Sequence, residues 1–281
     1  EGGDLRVIPT SRRNEILALL TEGLEDVSFS RPSSSLNGWG VPVPGDPEQL
    51  QYVWCDALTN YLSAIGYGRD ESWRSWWPAD LHVIGKDNLR FHAAIWPGML
   101  LSAGLELPKT LLVHGFVTVG GQKISKTLGN VIDPVAMAER YGTDPFRYYL
   151  VREISTYEDG DFSEQKLVER YNGELANGLG NLVARVATLG ERAHPLSCDP
   201  ERDCSPELAR DIATARDRYH QAFAVYRLND GIAEVWRLAS VADRYLNATQ
   251  PWAEADPERF RKTMANAVAL IVEITALLRP F

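Results

Sequence analysis

"LHVIGKDNLRFHAAIWPGMLLSAG" occupies Leu81–Gly104, and "TLLVHGFVTV" follows at Thr110–Val119. The opening "LHVIG" reads as a short apolar strand. Beyond it the spacing changes: Phe91, Ile95 and Met99 recur four apart, one stripe of a helix, and Gly104 stands near its end. "TLLVHGFVTV" reads as a second buried strand. Upstream, "QYVWCDAL" (Gln51–Leu58) reads as a strand running into a helix. From Gln51 to about Gly120 strands therefore alternate with helices, which is the pattern of a parallel α/β sheet.

Outward from this block the pattern changes on both sides. The segment from Leu5 to Asp46 ends in the turn-rich "RPSSSLNGWGVPVPGDP". It reads as irregular surface structure with one short helix, "RRNEILALLTEG", closed by Gly23. On the other side, Asp133-Pro134 and Asp144-Pro145 each offer a carboxylate cap followed by proline at the first helical position, and Gly142 closes the first of these helices. From Ser163 onward nearly everything is helical: "SEQKLVERYNGELANGLGNLVARVATLG", then two helices joined around Leu228–Asp230, then a last apolar helix after Pro251. This half predicts a bundle of about four or five helices.

The 281 residues suffice for two domains. No apolar run is long enough to span a bilayer, and "EGGDLRVIPTSRRNE" has no signal-peptide core. Cys55, Cys198 and Cys204 form no Cys-x-x-Cys pair, which disfavours a zinc knuckle and a disulfide framework and fits a reducing cytoplasm. A net charge of −9 argues against a generic nucleic-acid coat, though a local basic face remains compatible with it.

Four constellations could carry chemistry. "VHGFVTVGGQKISKTLGNVIDP" (Val113–Pro134) sets Lys123 and Lys126 either side of Ile124-Ser125, after a strand and before a capped helix. Two compact ammonium groups on such a loop suit a polyanion whose charge shifts during reaction, such as a triphosphate losing pyrophosphate. The spacing is not that of a P-loop, and alone it reads equally as a solvated basic turn. "WCDALTNY" places Trp54, Asp56, Ala57 and Tyr61 at a strand end, where α/β sheets bind ligands. His92 and Trp96 share one helix face. These aromatics read also as plain core. Gly85, Lys86 and Asp87 sit at a strand tip, where a carboxylate can accept from ribose hydroxyls or cap the next helix. Asn181 and Arg185 lie one helical turn apart, and Trp252 starts a later segment. Asparagine, arginine and tryptophan together can stack on and hydrogen-bond single-stranded bases, or form an ordinary helix seam.

In their order, "YVWCDALTNY … HVIGKDNLRFHAAIWPGML … VHGFVTVGGQKISKTLGNVIDP … YGTDPFRYYLVREI … ANGLGNLVAR … QPW" resembles the methionyl-tRNA synthetases, class I aminoacyl-tRNA synthetases, over nearly the whole chain. The resemblance implies a fold: the second half of the class I Rossmann fold, α/β, followed by an all-α bundle. It divides the chain into a remnant of the connective insertion (1–50), the second catalytic half (51–132), a stem-contact-like connector (133–162) and an anticodon-binding domain (163–281).

It also implies roles. Lys123-Ile124-Ser125-Lys126-Thr127 resembles the family's Lys-Met-Ser-Lys-Ser loop, making Lys123, Ser125 and Lys126 the catalytic candidates. Trp54, Ala57, Tyr61, His92 and Trp96 match the methionine side-chain pocket, where rings suit a polarizable thioether. Gly85 and Asp87 match the ribose site, and His114, Gly115 and Val117 the adenine segment. With Lys126 they make up the ATP site. Asn181, Arg185 and Trp252 match the residues that read a CAU anticodon. The implied ligands are methionine, ATP with Mg2+, and tRNA-Met, in the cytoplasm, with no membrane and no metal or zinc site in this chain.

One departure matters. His82, His92, His114, His194 and His220 form no His-x-Gly-His motif, which the family uses on the ATP phosphates. The expected partner is the N-terminal half of the synthetase, as a separate or removed polypeptide. Two other readings stay open: a truncated paralogue serving as a tRNA-binding or interaction module, and a site rebuilt for another adenylate or aminoacyl-transfer reaction.

Overall fold

The computed structural model describes residues 5–125, 127–192 and 204–281. The chain forms two compact units, one ending at His114 and the other starting at Gly115.

The first unit is built on a parallel three-stranded sheet. Its elements are β1 (Arg6–Ile8), α1 (Thr10–Glu22), β2 (Ser30–Pro32), β3 (Pro42–Val43), β4 (Asp46–Gln51), α2 (Val53–Ser63), β5 (His82–Gly85), α3 (Trp96–Ser102) and β6 (Thr110–His114). The sheet order is β1-β6-β5, with Val7 opposite Leu111, His82 opposite Leu111 and Gly85 opposite His114. β5 and β6 thus pair in parallel with helices between them, as the sequence pattern predicts, whereas the strand read before α2 is the end of β4 and lies outside this sheet.

The segment before residue 46 is more regular than expected. It supplies the edge strand β1 and two strands of a separate antiparallel sheet, ordered β2-β4-β3. Strands of two or three residues carry no readable periodicity, so their pairing is selected by the edge they meet. The expected helix is α1, ended by Gly23 at φ 103°. Ile16 on this helix is buried with Ile84, Leu89, Ala93, Ala94, Leu111 and Val113, the apolar layer beneath the sheet. A second cluster gathers Leu58, Leu62, Trp73, Trp77, Trp96 and Leu100 around α2 and α3. The helix predicted over Asn88–Gly104 forms, but its first part, Phe91–Ile95, is π-helical.

"TLLVHGFVTV" is not one strand. β6 ends at His114, and Val117 opens a different sheet in the second unit. Gly115 lies at the break because the chain packs tightly there: a Cβ on it would stand 2.2 Å from the Glu158 carbonyl oxygen. The Phe116 N–H is drawn to the Asp159 carboxylate, 2.8 Å away. Apolar residues continue through the break, which hides it from a pattern reading.

The second unit comprises β7 (Val117–Val119), β8 (Gln122–Lys123), α4 (Pro134–Tyr141), α5 (Thr143–Glu153), β9 (Gly160–Phe162), α6 (Glu164–Arg170), a π-helical stretch Tyr171–Gly180, α7 (Asn181–Glu191), α8 (Pro206–Ala224), α9 (Leu228–Thr249) and α10 (Pro257–Leu278). β7 pairs antiparallel with β8 and parallel with β9. Asp133 caps α4 as predicted, its carboxylate accepting from the N–H groups of Val135 and Ala136 at 2.9 and 3.4 Å. Gly142 ends that helix at φ 89°. Asp144 is not a cap. α5 begins at Thr143, two residues before the expected Pro145 and directly after Gly142, and Asp144 sits in its first turn, where a carboxylate still favours the positive helix end.

The long helix from Ser163 is continuous through α6, the π-helical stretch and α7. The joint between α8 and α9 falls at Val225–Arg227, slightly before the expected position, and Tyr226 turns it at φ 57°. α7, α8, α9 and α10 share one core, in which Val235, Leu246, Met264 and Leu270 are fully buried.

Candidate functional site

In the first unit, α2 carries Trp54, Ala57 and Tyr61 at helical spacing, so they fall on one face. Opposite them stand His92 in the π-helical turn and Trp96 at the start of α3. Trp54 stacks on Phe91, ring centroids 4.2 Å apart. The Tyr61 ring lies 5.8 Å from His92 and 6.0 Å from Trp96. The structure therefore brings Trp54, Tyr61, His92 and Trp96 into one aromatic group, with Ala57 one turn from Tyr61 on an exposed part of α2.

The hydrogen bonds fix the tautomer. His92 Nδ1 lies 3.1 Å from the Asn88 carbonyl oxygen, which can only accept, so Nδ1 carries the proton. Nε2 is then the acceptor for the Tyr61 hydroxyl at 3.0 Å. Burial lowers the His92 pKa, which keeps the ring neutral, and burial raises that of the Tyr61 phenol. The group is thus an uncharged, ring-walled surface in which Tyr61 and His92 are paired and the buried Trp96 Nε1 has no hydrogen-bond partner.

Sequence reasoning missed His82. It opens β5, is buried, and its ring lies 4.4 Å from Tyr61 and 6.3 Å from His92. Burial, then the nearby His92, push its pKa down to about 4. The available signal was strand alternation: His82 shares a face with Ile84, which is also buried.

At the carboxyl ends of β5 and β6, Gly85 and His114 are register partners. A Cβ on Gly85 would sit 2.9 Å from Asp87 Oδ1 and 3.9 Å from His114 Cε1. Gly85, Asp87 and His114 are thus gathered at the strand tips, the end of a parallel sheet where ligands bind.

In the second unit, Gly115 is packed against the Glu158–Asp159 backbone, and Val117 begins β7. The lysine-bearing segment is a β-hairpin rather than an open loop up to Lys123. Gly120 and Gly121 turn it at φ 60° and 72°, the left-handed pair that a two-residue hairpin turn requires. Asp161 fastens the turn: its Oδ1 accepts from the Gly121 N–H at 2.8 Å and the Thr118 hydroxyl at 2.9 Å. These bonds hold its carboxyl below the usual range. Lys123 Nζ lies 4.6 Å from the centre of the Phe116 ring. Ser125 donates its N–H to Asn130 Oδ1 at 2.8 Å. Lys126 lies outside the described residues. Neither Asp161 nor Asn130 carries a signal in the sequence, since each acts through a partner that no periodicity marks.

At the helical end, Asn181 and Arg185 are one turn apart on α7. Arg185 and the half-exposed Trp252 line one surface depression with Ala184, Thr188 and Leu189. Asp243 pairs with the Arg185 guanidinium at 2.5 Å, and Asn247 accepts a longer bond of 3.4 Å.

A parallel sheet with polar groups at its strand tips, followed by a lysine-bearing hairpin and a helical bundle, is the organisation of a class I synthetase. The model of the family described as tRNA synthetases class I (M) matches residues 4–187, and the chain belongs to that family. Within it the resemblance narrows to one specificity. The methionine–tRNA ligase of Thermotoga maritima is 43% identical over 98% of this chain, which covers 44% of that protein. That of Mesorhizobium japonicum is 40% identical over 97% of the chain, which covers 53% of it. A solved structure of Mycobacterium tuberculosis methionyl-tRNA synthetase in complex with methionyl-adenylate superposes with a TM-score of 0.86 at 36% identity, over 98% of this chain and 56% of that one. The chain thus spans about half the length of the relatives it matches.

Proposed function

We propose that this chain supplies the second catalytic half and the tRNA-reading bundle of a cytoplasmic methionyl-tRNA synthetase. The reaction joins methionine and ATP to methionyl-adenylate with release of pyrophosphate, then transfers the methionyl group to tRNA-Met. The observation that carries this reading is the neutral aromatic group of Trp54, Tyr61, His92 and Trp96. Such a surface favours a polarizable thioether and offers no charge to a carboxylate or ammonium side chain.

In this reading the methionine side chain packs on those rings with Ala57 beside them. Gly85 lets the ribose approach the backbone, and Asp87 accepts from its hydroxyls. His114, Gly115 and Val117 line the adenine. The methionine carboxylate attacks the α-phosphate. Lys123 and Lys126, with Ser125 between them, bind the oxygens that gain charge as pyrophosphate leaves, so they act on the transition state. Mg2+ enters as part of the ATP substrate. Among the described residues no group of three His, Cys, Asp or Glu side chains is placed to hold a metal. Asn181, Arg185 and Trp252 stack on and hydrogen-bond the anticodon. No helix among the described residues is long and apolar enough to cross a membrane. The proposed division is 1–50 connective remnant, 51–132 catalytic half, 133–162 connector and 163–281 anticodon-binding domain.

The 281 residues contain no His-x-Gly-His, so the phosphate-binding imidazoles would come from a polypeptide carrying that half. The test is methionine-dependent exchange of pyrophosphate into ATP, measured on the chain alone and with such a half supplied. Exchange that appears only with the half and only with methionine supports the reading. Exchange driven by a different acid points to a rebuilt site, and tRNA binding without exchange to a binding module. In the active assembly, Lys123→Ala or Lys126→Ala is expected to lower kcat by about 10²-fold with little change in the KM for methionine.

A further inference from the structure

The lysine hairpin is held from outside its own strands by the Asn130 side chain. Asn130 Oδ1 accepts from the Ser125 N–H at 2.8 Å, and Asn130 Nδ2 donates to the Lys123 carbonyl oxygen at 3.2 Å. One carboxamide thus offers an acceptor to residue 125 and a donor to residue 123, straddling Ile124. A residue of a neighbouring parallel strand would make the same pair of bonds with its own N–H and C=O. The amide therefore pairs the backbone beyond the end of β8, which stops at Lys123.

Local chain geometry makes this possible. Gly129 sits at φ 67°, and a Cβ there would meet nothing within 4 Å, so the glycine is needed for its left-handed backbone and not for space. That turn returns Asn130 alongside Ser125. Ser125 Oγ in turn accepts from the Thr127 N–H at 3.2 Å. At the other end of the hairpin, Asp161 fixes the Gly120-Gly121 turn. Between the two anchors lies the backbone that carries Lys123.

We propose that Asn130 is a positioning residue for adenylate formation: its carboxamide clasps Lys123 and Ser125 into an extended backbone, so that the Lys123 ammonium is presented to the leaving pyrophosphate. This rests on the adenylate-forming reading of the hairpin. Holding the backbone beforehand removes ordering entropy from the chemical step, and a group needed only in the transition state is then misplaced when the clasp is lost. Asn130 is not a member of the aromatic group, so the KM for methionine is expected to be independent of the clasp.

The experiment compares Asn130→Ala, Asn130→Asp and Gly129→Ala with the unaltered protein. Asn130→Ala removes both bonds. Asn130→Asp keeps the acceptor for the Ser125 N–H and loses the donor to Lys123. Gly129→Ala strains the turn that delivers Asn130 and leaves the carboxamide intact. The first readout is hydrogen exchange at the Ser125 amide, on this chain. Faster exchange in Asn130→Ala and Gly129→Ala, with protection retained in Asn130→Asp, is expected; unchanged exchange in Asn130→Ala overturns the clasp. The second readout is pyrophosphate exchange in the active assembly. A kcat lowered about tenfold in Asn130→Ala and Gly129→Ala, with the methionine KM unmoved and a smaller loss in Asn130→Asp, is expected. Faster amide exchange with an unaltered kcat overturns the positioning role. If the unaltered assembly shows no methionine-dependent exchange, it is the proposed function that fails, and the Ser125 amide still decides whether the clasp exists.

Discussion

At the scale of single residues, the imidazoles of the first unit have the clearest consequence. His82 is buried beside Tyr61 and His92, and its pKa falls to about 4 from a usual value near 6.5. Its folded pKa is depressed, so between those values the unfolded chain binds more protons than the folded one. Stability from this residue is therefore complete above about pH 6.5 and is lost as pH falls towards 4, at up to about 1.4 kcal/mol per pH unit for one proton. His92, lowered in the same direction by burial, adds to the trend. Urea unfolding between pH 4 and 8, followed by tryptophan fluorescence, reads this unit well, since Trp39, Trp54, Trp73, Trp76, Trp77 and Trp96 all lie in it. Replacing His82 by Phe should make the pH dependence shallower. A dependence as steep as in the unaltered protein would assign the titration elsewhere. The helix positions of His92 and Trp96 were legible because residues four apart lie one turn apart on the same helix face. The contact of His82 with Tyr61 was not, because a strand and a helix meet there through the fold alone.

At the scale of elements, the π-helical stretch between α6 and α7 holds a charged knot. Glu174 lies within it and accepts from Arg152 at 3.0 Å, from Arg170 at 2.8 Å and from the Tyr148 hydroxyl. Trp236 Nε1 donates to the same Tyr148 oxygen. One carboxylate thus ties α5, the α6–α7 helix and α9. Burial and the hydrogen bond to Glu174 raise the Tyr148 pKa, which keeps its hydroxyl a donor. Replacing Glu174 by Gln leaves two guanidinium groups with a neutral acceptor. The expected cost is about 1–3 kcal/mol in the unfolding free energy of the second unit, measured by urea denaturation followed by helical circular dichroism. No loss there would mean that water replaces the carboxylate without penalty. The sequence showed a continuous amphipathic helix over this region, and the helix is continuous. It did not show the π-helical turns, which a 3.6-residue pattern does not reveal.

At the scale of the molecule, the two units have separate cores, and the proposed tasks divide between them. In the second, Leu246 is fully buried among Val235, Met264 and Leu270. Leu246→Ala should destabilise the bundle by about 2–5 kcal/mol, seen as an earlier loss of helical signal on heating. Trp252, half-exposed beside Arg185, is different: its removal should leave the bundle folded. Trp252→Ala is expected to raise the KM for tRNA-Met by about tenfold or more, and to weaken discrimination for the CAU anticodon, while methionine-dependent pyrophosphate exchange is unchanged. Equal tRNA kinetics in the variant would remove the anticodon from the tasks of this face.

The sequence by itself determined the order of the two architectures, α/β then helical. It also determined the cap at Asp133, the helix ends at Gly23 and Gly142, and the family, through motifs whose residues are close along the chain. Each of these depends on interactions spanning a few residues, so composition and spacing encode them directly. Only the tertiary structure decided that Arg6–Ile8 joins the sheet beside β6, that the apolar run from Thr110 breaks at Gly115, and that Asn130 and Asp161 hold the lysine hairpin. In each case the partner is distant in sequence, or is a side chain standing in for backbone. A hydrogen bond of that kind is selected by which groups the fold brings within reach, not by any repeat in the chain.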